Sequence, residues 1–449
     1  MLNVELWRSI CIILVYIVIF TVYITIMNVD KHINRLLAEL LPQPSVRRIV
    51  VLTGARQTGK TTLAKQLFTD LNYINLDAPE NRDALRSLST FAWAKTVGNA
   101  VIDEAQKVPI IFEKVKYAYD EAGITFTVLT GSSQLLLLKK IRESLAGRAF
   151  FYELWPLMQC ELNTPSGSAD ASFPLLDTLL TERSVSSVLT DLAPMRLGSQ
   201  SYASQAAEDY ILKWGGMPAL LNLSESDRWQ WLKNYEYTYL ERDLADLAKL
   251  DDLMPFRKFQ QISALRSAQL LNYSELARDT GISVDTARRY LEYLRLSYQA
   301  VLLQPYYRNL TSSVVKTPKL YWMDIGLWRH LTGVKGDLSG QLYETMVVAE
   351  IVKWVRTRQR DVNVYFYRTR SGNEVDLILE TSSGIIGVEI KSRTVVVPKD
   401  IRPLRMVAEQ LGERWCGGMV VYSGDEIKRL GDPDIFAIPS KRLLQAAAP

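Results

Sequence analysis

The chain has 449 residues, 48% apolar and 23% charged, with a formal net charge of +4 and three cysteines. That length exceeds what one hydrophobic core serves, so two or three domains are expected. Cys11, Cys160 and Cys416 are too widely separated for a metal-ligand spacing or a disulfide framework, which fits a reducing compartment. The small net charge neither demands nor excludes a nucleic-acid partner, because binding depends on local patches.

Residues 9–29 carry no charge and are dominated by Ile, Val, Leu, Phe and Tyr. Such a length spans a bilayer. Arg8 precedes it and Lys31, His32 and Arg35 follow, an asymmetry that places the bulk of the chain in the cytoplasm behind a single N-terminal anchor. The competing reading starts the protein at Met27 and treats the apolar stretch as upstream sequence from a misassigned start. Residues 30–41 have helical spacing, with Ile33, Leu36, Leu37 and Leu40 on one face. Short apolar runs at 48–52, 73–76, 100–102, 126–129 and 149–154 alternate with helical segments such as 61–68. That alternation predicts an α/β domain over 30–160 built on a doubly wound, mostly parallel sheet.

Between the first run and the first helix stands Gly54-Ala55-Arg56-Gln57-Thr58-Gly59-Lys60-Thr61, which fits G-x-x-x-x-G-K-[ST] in full, and Thr62 follows. Glycines let the backbone curl so that successive N–H groups face phosphates, and the helix start aims its positive end at the same anion. Lys60 then reaches the β- and γ-phosphates and Thr61 ligates magnesium. The third run ends in Asp103-Glu104. Asp103 is expected in the magnesium shell, and Glu104 as the base that orients and deprotonates water; a helix cap is the weaker reading. Thr130, Ser132 and Ser133 close the next strand, where ligands bind in such sheets, so Thr130 and Ser132 are candidate γ-phosphate sensors against a plain turn. Arg148 is a candidate for stabilising transition-state charge in its own or a neighbouring subunit, against an ordinary surface arginine; Arg56 is a second.

Together Val51-Leu52-Thr53 with the phosphate loop, Ile102-Asp103-Glu104-Ala105-Gln106, Leu129-Thr130-Gly131-Ser132-Ser133 and Ser144-Leu145-Ala146-Gly147-Arg148 resemble a prokaryotic AAA-superfamily ATPase family. Trp214-Gly215-Gly216-Met217-Pro218 and Thr238-Tyr239-Leu240-Glu241-Arg242-Asp243-Leu244 extend the resemblance, which covers about residue 28 to the C-terminus and leaves out the apolar start. The resemblance implies ATP as the nucleotide and a C-terminal domain of unknown function with a restriction-endonuclease-like fold.

Residues 161–205 are rich in Ser, Ala and Thr and read as a mobile surface insertion. A helical region follows over 206–270, with Trp231, Tyr235 and Tyr239 on one face, a stripe that usually means core. Residues 271–335 read as a winged helix-turn-helix: one helix at 273–278, a turn at Thr280-Gly281-Ile282, an N-cap at Ser283 and a second helix at 284–296. Val284, Ala287, Leu291 and Leu294 face inward. That leaves Arg288, Arg289 and Arg295 outward, where they meet DNA or serve only a packing module.

Residues 340–449 predict the order α-β-β-β-α-β, similar to the PD-(D/E)xK nuclease core. Asp376 falls in the second strand. Glu389 and Lys391 stand two apart in the third and so share a face, and Glu344 lies on the preceding helix. Carboxylates in that arrangement hold magnesium while a lysine positions the attacking water. The alternative is a solvated hairpin of alternating charge, and Val375 stands where the motif has proline.

Two function classes remain. One is an ATP-hydrolysing enzyme whose nucleotide state controls DNA binding and a magnesium-dependent nuclease-like domain. The other is a nucleotide-switched binding or regulatory protein that does not cut. Either is compatible with homo-oligomers.

Overall fold

The computed structural model describes residues 33–131, 144–163, 173–239, 253–307, 315–336 and 338–445. The apolar segment 9–29, Ser132, Ser133 and the stretch Leu240 to Leu244 lie outside the described residues.

The N-terminal sheet contains β1 (Arg48–Thr53), β2 (Asn72–Asn75), β3 (Ala100–Asp103), β4 (Phe126–Gly131) and β5 (Ala149–Glu153), in the order β2-β3-β4-β1-β5 and parallel throughout. All five strands were predicted. A parallel sheet is buried on both faces, and the residues of β1 alternate accordingly. Ile49 and Val51 join Ile102, Leu129, Phe112 and Val115 on one side. Val50 and Leu52 join Leu63, Phe126 and Val128 on the other. The first of these layers includes α2 (Ile111–Glu121) and the second α1 (Lys60–Leu67). The segment before β1 is a 3-10 turn, Leu36–Leu40, in place of the predicted longer α-helix. Leu36 and Leu37 are buried, whereas Leu40 is only half-covered.

The rest of the chain is organised around a second sheet. Its strands are β6 (Gln269–Leu270), β7 (Ala300–Pro305), β8 (Lys319–Trp322), β9 (Asn363–Arg368), β10 (Glu374–Glu380), β11 (Ile385–Lys391), β12 (Trp415–Tyr422), β13 (Lys428–Gly431) and β14 (Ile435–Pro439). They lie in the order β13-β14-β12-β11-β10-β9-β7-β8-β6. This sheet runs across the boundary that the sequence suggested near 335–340: β7 pairs parallel with β9, Gln304 opposite Tyr365. The central and C-terminal parts therefore share backbone hydrogen bonds.

Segment 173–198 is packed, not a surface insertion. Its helices α3 (Leu175–Thr181) and α4 (Val185–Leu189) bury Leu175, Leu176, Leu179, Val185 and Leu189 in the main core. Asp177 accepts from Trp354 Nε1 at 3.0 Å and from Arg360 Nε at 2.8 Å. The Ser and Thr content of the region misled the sequence reading, because its leucines are spaced to cover one face.

The helices of this part are α5 (Ser199–Trp214), α6 (Glu225–Tyr239), α7 (Met254–Leu265), α8 (Tyr273–Thr280), α9 (Val284–Leu296), α10 (Ile325–Thr332), α11 (Gly340–Thr357) and α12 (Arg402–Leu411). Helix α9 has the predicted bounds and its predicted N-cap at Ser283, whereas α8 runs two residues past the predicted end, to Thr280. Gly281 takes the left-handed conformation after α8, and Ser283 Oγ accepts from Thr286 N at 3.1 Å. Ala287, Leu291 and Leu294 are buried, while Arg288, Arg289 and Arg295 are exposed. No helix among the described residues is long and apolar enough to cross a membrane.

Candidate functional site

The phosphate loop leaves β1, the strand between β4 and β5, and turns into α1. Its turn depends on two glycines. Gly59 is left-handed (φ 95°) at the N-cap of α1, and a Cβ on Gly54 would lie 2.1 Å from the backbone oxygen of Leu154. Gly54→Ala is therefore expected to lower the unfolding temperature by several degrees and to abolish nucleotide binding, because Leu154 O is main chain and cannot rotate away. Parallel thermal melts and nucleotide titrations check this. Thr58 Oγ1 closes the loop on Ala55 O at 2.9 Å.

Lys60 is 7% exposed, and its Nζ donates to Gly54 O at 3.1 Å and to Ala55 O at 2.7 Å. Its ammonium group is held inside the loop, within a short swing of anything the loop encloses. Thr61 Oγ1 donates to Asp103 Oδ2 at 2.7 Å. The parallel register of β3 with β4 carries Asp103 to the same end of the sheet as the loop. Asp103 also accepts from Tyr73 Oη at 2.6 Å, from Glu104 N at 3.1 Å and from the Thr130 hydroxyl. Burial alone would push its carboxyl up. The hydrogen bonds from Thr130, Tyr73 and Thr61 outweigh that and hold it below the usual range, so it is a carboxylate at neutral pH. A carboxylate beside the threonine hydroxyl is the donor set that suits a magnesium ion.

Glu104 has a left-handed backbone (φ 54°), unusual for a non-glycine residue and a common mark of functional turns. Burial raises its carboxyl above the usual range, against the opposing effects of Gln106 and Lys60. A carboxylate so raised is a stronger proton acceptor, as a general base needs to be.

Two residues depart from expectation. Thr130 does not stand free as a phosphate sensor: its hydroxyl serves Asp103. Arg148 bonds Asp120 Oδ1 at 2.7 Å and Ala146 O at 3.1 Å, on the surface beside α2. Ser132 falls outside the described residues. Of the remaining loop residues, Arg56 is half-buried and Gln57 and Thr62 are exposed.

Sequence reasoning missed the support behind the loop. Arg35 donates to Thr58 O at 2.7 Å, to Trp155 O at 2.6 Å and to Glu161 Oε1 at 3.0 Å. Tyr298, the second residue after α9, donates to Thr53 Oγ1 at 2.6 Å, and Tyr235 donates to Arg56 O at 3.4 Å. The Trp-Gly-Gly-Met-Pro motif is a junction. Gly216 O accepts from Leu157 N at 2.7 Å, Gly216 N donates to Asp324 Oδ2 at 2.8 Å, and a Cβ on Gly216 would meet Leu157 O at 2.2 Å. A cavity of about 130 Å³ beside α1 is lined by Ile33, Arg35, Gly59, Thr62, Pro218 and Asn222.

In the second sheet, α11, β9, β10, β11, α12 and β12 follow the predicted α-β-β-β-α-β order, and β13 and β14 extend it. Asp376 sits where the β9–β10 register shifts, between Val375 and Ile378. Its Oδ2 accepts from Ile390 N at 2.8 Å, and Lys391 Nζ donates to Glu389 Oε1 at 2.5 Å. Glu344 accepts from Tyr321 Oη at 2.7 Å and pairs with Lys319 at 3.2 Å. The predicted residues thus converge, but on lysines. Among the described residues no group of three or more His, Cys, Asp or Glu is arranged to hold a metal ion. Lys319, Glu374 and Tyr321 had not been singled out, because only the β8–β10 juxtaposition reveals them.

Residues 46–163 match the family described as AAA domain. Residues 205–338 and 339–443 each match a domain of unknown function, DUF8612 and DUF4143. The chain is 29% identical over 406 residues to the uncharacterized protein Rv2008c of Mycobacterium tuberculosis, covering 88% of this chain and 81% of that one. It is 24% identical over 366 residues to the uncharacterized protein MJ1544 of Methanocaldococcus jannaschii, covering 78% and 75%. Among solved structures, the Walker-type ATPase PABY2304 of Pyrococcus abyssi aligns at a TM-score of 0.37 and 17% identity, over 66% of this chain and 99% of that one. A signal-transduction ATPase (STAND) protein of Pyrococcus horikoshii aligns at 0.24 and 12%, over 73% and 47%. The two alignments are too distant to bear on function. The sequence motif, the parallel sheet that carries it and the matched family agree: residues 46–163 form an AAA-type P-loop ATPase domain.

Proposed function

We propose that this protein binds ATP with magnesium at the loop from Gly54 to Thr62 and hydrolyses it, and that nucleotide state acts on the helices and sheet packed behind the loop. The observation that carries the reading is the 2.7 Å contact of Thr61 Oγ1 with an ionised, buried Asp103, beside Lys60. The loop amides and Lys60 bind the β- and γ-phosphates, and Thr61 and Asp103 hold the ion. When bound, the ion neutralises the phosphate oxygens. Glu104 orients water and takes its proton. The cavity lined by Ile33, Arg35 and Asn222 suits the base. We assign half-buried Arg148, which pairs with Asp120, to stabilising transition-state charge in a neighbouring subunit's site of a homo-oligomer.

Tyr298 and Tyr235 carry the loop's state outward. Tyr298 lies two residues beyond α9, so a rearrangement at Thr53 would reach the helix bearing Arg288 and Arg289. We assign that face to DNA backbone contacts. Duplex DNA is expected to raise the ATPase rate several-fold, and Arg288→Ala with Arg289→Ala to remove the stimulation while leaving the basal rate unchanged. A rate indifferent to DNA and RNA alike would refute the nucleic-acid part.

For the C-terminal region, convergence of Asp376, Glu389 and Lys391, taken without Lys319, would support a magnesium-dependent nuclease-like site. The second reading, a nucleotide-switched binding or regulatory protein without cleavage, is favoured by Lys319 standing among those acids. Incubation of plasmid DNA with the protein and Mn2+ separates the two.

A further inference from the structure

Four carboxylates and two ammonium groups cluster where β8, β10, β11 and α11 meet; Lys319, Asp376 and Glu389 are buried, whereas Glu344, Glu374 and Lys391 are half-buried. Lys319, the first residue of β8, is 2% exposed. Its Nζ lies 3.2 Å from Glu344 Oε1 and 4.0 Å from Asp376 Oδ1, and it is paired with Glu374. Lys391 Nζ lies 2.5 Å from Glu389 Oε1 and 3.9 Å from Asp376 Oδ2. Each of the predicted metal ligands therefore already faces a positive charge. The second oxygen of Glu389, Oε2, is buried without a hydrogen-bond partner.

Lys319 is fixed in this position by its main chain. It stands opposite Leu303 in β7 and Leu270 in β6, so β8 is hydrogen-bonded on both sides. Tyr321, two residues along and on the same face, donates to Glu344. For a divalent ion to bind among the acids, the ammonium group would have to give up its contacts with Glu344 and Glu374. An ion pair broken in this way leaves a charge buried without compensation, which is strongly destabilising.

We propose that Lys319 is the resident cation of this cluster. Its ammonium group does the neutralising work that a divalent ion does in an open carboxylate site. The unaltered cluster accordingly takes up no divalent ion, and removing the ammonium group opens a site for a hard divalent cation built from Glu344, Asp376 and Glu389, with Glu389 Oε2 as a ready ligand. The proposal is independent of the nucleotide reading, since the P-loop contributes nothing to it.

The test uses the full chain without nucleotide and carrying Lys60→Ala, titrated with Mn2+ by electron paramagnetic resonance. With Lys319 intact, no tightly bound Mn2+ is expected. With Lys319→Met, a single tight Mn2+ per chain is expected, Mn2+ raises the unfolding temperature, and adding Glu389→Gln abolishes both effects. Tight Mn2+ binding by the chain with Lys319 intact that Glu389→Gln removes would overturn the proposal, and so would a folded Lys319→Met chain that binds none. Should Lys319→Met fail to fold, Fe2+ with ascorbate and peroxide probes the chain with Lys319 intact. An absence of backbone cuts near Asp376 and Glu389 supports the resident lysine; cuts there that Asp376→Asn abolishes refute it.

Discussion

Lys60→Ala is expected to weaken ATP binding at least about a hundredfold, roughly 2.7 kcal/mol at 25 °C. The loop amides alone contribute neutral donors, whereas the lysine supplies a full charge, and charge-assisted hydrogen bonds are about twice as strong as neutral ones. The geometry makes the loss selective. Lys60 Nζ donates to Gly54 O and Ala55 O, both within its own loop, so its removal frees two carbonyls of that loop. The unfolding temperature should therefore move little while affinity collapses. Titration with a fluorescent ATP analogue and a thermal melt of the same preparation measure both quantities. Undiminished affinity in a folded variant would contradict the phosphate-binding role of the loop.

Glu104→Gln should leave ATP binding close to normal and slow hydrolysis by roughly a hundredfold or more, the range for a lost general base. The substitution keeps the size and the acceptor oxygen that Gln106 Nε2 approaches, and takes away only the ability to accept a proton. The pH profile gives an independent readout. A base works deprotonated, and burial raises the Glu104 carboxyl above its ordinary range. The rate should accordingly climb with pH through a limb displaced upward from that of a free glutamate, and Glu104→Gln should flatten that limb. Unchanged turnover in the variant would mean that another group handles the water. Asp103 makes a useful contrast. Its hydrogen bonds hold it ionised, so Asp103→Asn is a test of ion binding, not of proton transfer.

Much of the proposed nucleotide site is legible in the sequence, because its chemistry is local. A loop that wraps phosphate needs glycines at set positions and a lysine and threonine at a helix start, and a run of eight residues contains them all. Five alternating apolar runs correspond to the five strands, and the fourth and fifth flank the first in the structure. The α8–α9 pair was equally plain, since caps and a three-four periodicity lie within one segment. Composition was the poorer guide. Segment 173–198 looks loose because it is rich in serine and threonine, yet six of its apolar residues are buried in the main core.

The sequence by itself determined which residues could touch phosphate and which strands carry them, because backbone curvature and side-chain periodicity act over a few neighbours. Only the tertiary structure decided how those parts are joined. Arg35, Tyr235 and Tyr298 brace the phosphate loop from positions up to 245 residues away, and β7 pairs with β9 to merge two regions into one sheet. It also decided the charge of the C-terminal cluster. Asp376, Glu389 and Lys391 advertise themselves by spacing, but Lys319 sits more than fifty residues earlier in an apolar strand, and nothing near it in sequence marks its partners. Electrostatic character in a buried space is set by every charge that the fold brings there, whereas a motif records only those that share a strand.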